Sequence, residues 1–212
     1  MTRGRIAAVV LAATLVVAGA FAVGRLTAGP TPTPTPTSDS AAAGFLRDMQ
    51  VHHAQAVEMA LLVRDRTDDE TVRTIAYDVA ITQTGQAGAM YGLLDAWGLP
   101  QISTGPPMAW TELPALDGSG DGHQMDPEAP GGMPGMATQE QLAELRSATG
   151  VDAVRLYLQL MIPHHQGGLE MAEAVLARTG VPQVVTLASG IQRAQRAEIR
   201  VMEDLLAALP SD

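Results

Sequence analysis

Two stretches, FLRDMQVHHAQAVEMALLVRDRT at 45–67 and YLQLMIPHHQGGLEMAEAVLART at 157–179, align without gaps at an offset of 112 residues. Met49, His52, His53, Glu58, Met59 and Ala60 recur as Met161, His164, His165, Glu170, Met171 and Ala172. Further on, Ala76, Gln83, Met90, Leu93 and Leu94 recur as Ala188, Gln195, Met202, Leu205 and Leu206, so the matching units cover 45–97 and 157–209. Self-similarity at one fixed offset marks a duplicated structural unit. Val72, Ala76, Val79, Met90, Leu93, Leu94 and Trp97 keep helical intervals, as do Val184, Leu187, Ala188, Ile191, Met202, Leu205 and Leu206, and neither set alternates with a period of two. Thr67-Asp68-Asp69-Glu70 and Thr179-Gly180-Val181-Pro182 place acidic residues or proline where a second helix would start. Each unit is therefore an α-hairpin, and the fold is expected to be all-α with four helices from two repeated hairpins.

Between the units, residues 98–137 are rich in Gly, Pro and Met, and a short helix is expected from Thr138 to Ala148. A connection this long can cross the bundle from end to end, which gives the ferritin-like arrangement; a loose tether between two hairpins is the alternative. The domain then spans 41–212, as a hairpin at 41–97, the connection at 98–137 and a hairpin at 138–210.

Upstream, Arg3 and Arg5 precede the apolar run IAAVVLAATLVVAGAFAVG from Ile6 to Gly24, followed by Arg25. Such a run spans about 28 Å as a helix, enough to cross the hydrocarbon core of a bilayer. Residues 1–26 read as a transmembrane signal anchor, or as a signal peptide cut near Ala18-Gly19-Ala20. The flanking arginines keep the N-terminus in the cytoplasm and place the body outside it, at the cell membrane or secreted after cleavage. Residues 27–40, TAGPTPTPTPTSDS, form a Thr/Pro-rich stalk of polyproline II character.

Composition removes whole classes of chemistry. There is no cysteine, which excludes disulfides, thiolate metal sites, iron–sulfur clusters and a lipid-modified cysteine. There is no lysine, which excludes Schiff bases and Walker-type phosphate binding. All 23 acidic residues lie at or after Asp39, against ten arginines there, so the body repels phosphate backbones and nucleic acid is not an expected partner.

The paired histidines carry the chemistry. On a helix Met49, His52, His53, Ala56 and Ala60 fall within roughly a 100° arc, with Met59 on its edge, and Phe45 and Val63 share that arc, so the histidines face the core. Met161, His164, His165, Gly168 and Ala172 repeat the pattern, with Met171 beside them, and Pro163 is expected to kink that helix. The following helices carry Gln83 and Gln86, and Gln195 and Glu198, on otherwise apolar stripes. Buried polar groups need partners, and these four side chains can bond to the imidazoles and orient them. Glu198 is suited to fixing a histidine tautomer, whereas Gln86 in the matching place offers only an amide. Glu58 and Glu170 lie on the opposite side of their helices; an inter-helix hydrogen-bonding role and a solvated or salt-bridged surface role are both open to them.

No Glu or Asp stands three residues before any of these histidines, whereas methionine does, in Met49-x-x-His52 and Met161-x-x-His164. Replacing a hard carboxylate by a thioether turns the set away from iron and towards copper, above all Cu(I). The candidate metal ligands are thus Met49, His52, His53, Met59, Met161, His164, His165 and Met171. A histidine–glutamine core that holds no metal is the alternative. The connection adds His123-x-Met125 and Met133-x-x-Met136, with Met108, as a second, looser set of soft ligands; drift in the composition of an unstructured loop explains them equally well.

Two copies of M-x-x-H-H-x-x-x-x-E-M-A, each followed by a helix carrying Gln and Met, resemble the domain of unknown function 305 family over nearly all of 41–209. The resemblance implies a ferritin-like four-helix fold in proteins that are often exported, some of them linked to copper binding or resistance. It assigns the family motif to Met49, His52, His53, Glu58 and Met59, and to Met161, Pro163, His164, His165, Glu170 and Met171. Gln195-x-x-Glu198 matches the family pattern, but Gln83-x-x-Gln86 lacks its carboxylate, and Gly167-Gly168 stands where Gly-Ala is usual. The halves are therefore expected to differ in function, and the helix carrying the second motif to be looser at the glycines. The function expected is an extracytoplasmic metal-binding protein that binds, buffers or transfers copper, with a metal ion and the membrane as partners; a structural or interaction bundle is the alternative. No carboxylate-rich di-metal set or cofactor fingerprint points to an enzyme.

Overall fold

The computed structural model describes residues 35–119 and 129–210. The apolar run, most of the Thr/Pro-rich stalk, His123 and Met125 lie outside the described residues. Among the described residues all regular structure is helical, and no helix is long and apolar enough to cross a membrane.

The described residues form five α-helices: α1 (Ala41–Arg64), α2 (Glu70–Ala96), α3 (Gln139–Ser147), α4 (Gly150–Leu176) and α5 (Pro182–Ala208). Their starts follow from local chemistry. The Ser40 hydroxyl accepts from the Ala43 amide, and the Asp69 carboxylate accepts from the amides of Thr71 and Val72. Thr138 and Gln141 close a reciprocal capping box on α3, and Pro182 opens α5 with its fixed φ. α4 runs as one helix through Pro163, whose ring is exposed.

Two contacts set the direction of the connection. Arg47, near the start of α1, donates from Nε to the Pro100 carbonyl at 2.8 Å, whereas the Gly150 amide donates to the carbonyl of Arg66, just past the end of α1, at 2.7 Å. The chain between α2 and α4 therefore travels the length of α1, and α2 and α4 run parallel. It is not a loose tether. Asp48 Oδ2 accepts from the Met108 amide at 2.7 Å and from Trp110 Nε1 at 2.8 Å, Arg178 Nε donates to the Leu113 carbonyl at 2.8 Å, and Gln55 exchanges two hydrogen bonds with the Ala137 backbone.

The core is divided in two. One apolar cluster holds Phe45, Met49, Met90, Leu94, Trp110, Met171, Val175 and Ile191; the other holds Met59, Val63, Val79, Leu145, Tyr157, Met161 and Met202. On each of the four long helices the two clusters are separated by the same kind of interruption: His52 and His53 on α1, Gln83 and Gln86 on α2, His164 and His165 on α4, Gln195 and Glu198 on α5. A polar layer crosses the bundle between two greasy ends.

Candidate metal centre

All four histidines of the layer have no solvent exposure. The rings of His52 and His164, which occupy equivalent places in the two repeats, stack with centroids 3.8 Å apart and planes 33° apart. His165 lies 6.4 Å from His164, centroid to centroid. Each outer histidine meets the polar residue of its own hairpin: His53 Nε2 is 2.7 Å from Gln86 Oε1, and His165 Nε2 is 2.7 Å from Glu198 Oε2. His52 Nε2 lies 3.1 Å from the Pro134 carbonyl oxygen.

Burial holds the rings of His52, His53 and His164 neutral. It pushes His52 down to about 4 and His53 down to about 3; the pull of Pro134 and Gln86 hydrogen bonds upward is smaller than the desolvation. His164 is held well below the ordinary imidazole value, by burial first and by the neighbouring histidines second. Burial, with Glu198 nearby, raises the Tyr157 phenol above its usual value.

Many polar atoms here have no partner. Nδ1 of His52, His53 and His165, both ring nitrogens of His164, the amides of Gln83 and Gln195 and the Tyr157 hydroxyl are buried without a hydrogen bond. Gln83 and Gln195 are each 2% exposed, and a methyl at Gly168 would lie 2.4 Å from Gln195 Oε1. Among the described residues no three His, Asp or Glu side chains are grouped so as to hold a metal ion.

The methionines take two positions. Met49 and Met171 belong to the cluster on one side of the layer, Met59 and Met161 to the cluster on the other, and all four are fully buried. The structure removes Glu58 from the histidine neighbourhood: it pairs across the surface with Arg146 of α3 at 2.5 Å, and both side chains are more than two-fifths exposed. Glu170 is exposed as well. Both carboxylates thus sit on the outer side of their helices, as their distance around the helix from Met49 and Met161 requires.

The connection is also placed differently from a loop of free soft ligands. Met133 and Met108 are buried core residues, 2% and 4% exposed, and Met136 packs partly buried against the same cluster. A Gly/Pro-rich segment does have a core to fill here, because it is pressed against α1 and α4. The glycines of α4 explain how. A methyl at Gly167 would lie 2.1 Å from the Pro134 oxygen, and one at Gly135 would lie 2.2 Å from the Pro163 oxygen. Gly167 and Gly168 therefore do not loosen α4; they admit the Pro134–Gly135 backbone and the Gln195 side chain. The Pro134 carbonyl and the Gln55–Ala137 pair are the site elements that periodicity misses, and their only trace in the sequence is a helical Gly-Gly matched by a Pro-Gly in the connection.

The sequence profile of the domain of unknown function DUF305 matches residues 42–206. No functionally curated protein matches the chain. Similar solved structures include a DUF305 protein of Streptomyces coelicolor presumed to be secreted, at 48% identity and a TM-score of 0.71, covering 81% of this chain and 94% of that one. A DUF305 fragment from Deinococcus radiodurans is 32% identical with a TM-score of 0.64, covering 83% of this chain and all of the fragment. CopM in its Cu(I)-bound form has the same fold at 22% identity and a TM-score of 0.55, over 76% of this chain and 91% of its own. With its duplicated histidine motif on α1 and α4 and a family match over nearly the whole described domain, the chain belongs to the DUF305 family.

Proposed function

We propose that this chain is a ferritin-like four-helix protein held outside the cytoplasm, by an N-terminal anchor or after secretion, and that its polar layer binds copper for buffering or transfer. The observation that carries the reading is the set of buried imidazole nitrogens that no protein group meets, because a buried lone pair is costly unless something meets it. His52, His53, His164 and His165 would hold the ion, and the thioethers of Met49, Met59, Met161 and Met171 supply soft neighbours on both sides. Imidazole and thioether donors without a carboxylate among them suit Cu(I), which accepts low coordination numbers. CopM, known in Cu(I)-, Cu(II)- and Ag-bound forms, supports the reading through its shared fold. The Streptomyces relative supports an extracytoplasmic location.

Titration of the purified chain with Cu(I) against an equilibrium competitor tests this. Sub-micromolar binding is expected, and replacing His52 and His53 together by alanine should weaken it at least about tenfold, or roughly 1.4 kcal/mol. Glu58→Gln, on the outer surface, should leave it unchanged. The second reading, a polar layer that only specifies packing, is favoured by the absence of three converging ligands among the described residues. It predicts that the double variant loses stability and that neither protein binds Cu(I).

A further inference from the structure

Three of the four imidazoles are engaged at the same ring atom. Nε2 of His52 faces the Pro134 carbonyl at 3.1 Å, Nε2 of His53 faces Gln86 Oε1 at 2.7 Å, and Nε2 of His165 faces Glu198 Oε2 at 2.7 Å. A backbone or amide carbonyl oxygen only accepts, as does an ionised carboxylate, so in each pair the imidazole donates Nε2–H. A neutral imidazole carries one ring proton, which leaves Nδ1 with its lone pair. In all three residues that Nδ1 is buried and without a partner. His164 differs, since no side chain or connection backbone engages its nitrogens and it lies against the backbone of His52.

We propose that the Pro134 carbonyl, Gln86 and Glu198 are positioning groups that lock His52, His53 and His165 as Nε2–H tautomers, so that Nδ1 is the lone pair that each of these rings presents to a metal. The three acceptors come from three separate parts of the chain, the connection, α2 and α5, yet they make the same choice of ring atom. Hydrogen bonding of the far imidazole nitrogen to an acceptor is the usual way a protein orients a histidine ligand and strengthens its donor atom.

The connection also decides which inner histidine is locked. Positions 55 and 167 are equivalent in the repeat, and both hold the connection, by opposite means. Gln55 grips Ala137 through donor and acceptor, at 3.0 and 2.7 Å, whereas Gly167 has no side chain and so leaves room for the Pro134 carbonyl. Pro134 is thereby carried across the junction of the two halves to His52 and not to its repeat mate His164. The metal-facing part of the proposal rests on the function proposed above; the tautomers do not.

Two-bond nitrogen–proton correlation spectra of the full chain, labelled with 15N-histidine and recorded at pH 8, test it without any metal. His52, His53 and His165 are expected to show protonated Nε2 and bare Nδ1. Gln86→Leu should release His53 alone and Gln86→Glu should restore it; Glu198→Leu should release His165 alone and Glu198→Gln should restore it. Gln55→Leu, which frees Ala137, should release His52. Any of the three found as the Nδ1–H tautomer overturns the assignment, and a leucine variant that leaves its histidine unchanged overturns the positioning role. On adding Cu(I) alone, the resonances that move should be Nδ1 of the three locked rings; movement confined to Nε2 overturns Nδ1 presentation. Failure to bind Cu(I) with the tautomers in place refutes the proposed function and leaves the tautomer assignment standing.

Discussion

Mild acid should destabilise this domain well above the pH at which its carboxylates protonate. Burial keeps His52 and His53 uncharged down to about 4 and about 3, and His164 well below its ordinary value of 6.5, whereas an unfolded chain protonates all three near 6.5. Below pH 6.5 the unfolded state therefore binds more protons than the folded state, and stability falls as the pH falls, until each folded pKa is reached. For a group titrating at about 6.5 when unfolded and about 4 when folded, this loss is about 2 kcal/mol at pH 5, growing by up to about 1.4 kcal/mol per further pH unit. His52 and His53 together remove about 4 kcal/mol at pH 5, and His164 acts in the same direction, a large part of the 5–15 kcal/mol typical of a whole domain. Urea unfolding followed by far-ultraviolet circular dichroism at pH 7.5, 6.5, 5.5 and 5.0 reads the effect. With a slope of about 2 kcal/mol/M the midpoint should drop by at least about 2 M over that range. His53→Gln, which removes one of these groups, should flatten the dependence. A midpoint that stays constant between pH 7.5 and 5.0 would refute the reasoning, because the histidines would then be taking up protons in the folded state.

Three further outcomes are expected. Gly167→Ala drives a methyl into the Pro134 carbonyl and should cost about 1–3 kcal/mol in a chemical denaturation experiment, more than the same change at open Gly190. Asp48→Ala leaves the buried donors of Met108 and Trp110 without their acceptor, which should cost roughly 2–4 kcal/mol by the same measurement, with a red-shift of the Trp110 fluorescence as the 98–112 segment loosens and the indole meets water. Glu198→Gln, which removes a charge beside His165, should weaken Cu(I) binding in competitor titrations, whereas Gln86→Ala should mainly lower the unfolding midpoint.

The hairpins and the polar layer were legible because duplication writes them twice. Gln83, Gln86, Gln195 and Glu198 break the apolar stripes of α2 and α5 as the histidines break those of α1 and α4, but periodicity within a helix does not say which histidine each one meets; that His53 meets Gln86 and His165 meets Glu198 comes from the structure. Glu58 was ambiguous because angular position on a helix does not say what lies outside it, and α3, which supplies Arg146, belongs to no repeat. The connection was the least legible part. Its contacts pair residues far apart in sequence and use backbone groups of Pro134 and Ala137, which carry no side-chain pattern. Met133 and Met108 read as loop residues for the same reason: burial of an irregular segment is decided by the surface it lies against.

The docking of Pro134 and Ala137 onto α1 also has a consequence for the order of assembly. Each hairpin closes through neighbours along the chain, whereas the His52–Pro134 and Gln55–Ala137 contacts each join residues 82 positions apart. Closing the longer loop costs more chain entropy, so the hairpins are expected to form first and the segment over the histidines to settle last. Until it settles, His52 is still hydrated, and an ion present during folding reaches the rings without having to displace the segment. Pulse-labelling hydrogen exchange, in which the Ala137 amide gains protection after those of α1 and α2, would record that sequence of events; simultaneous protection would contradict it.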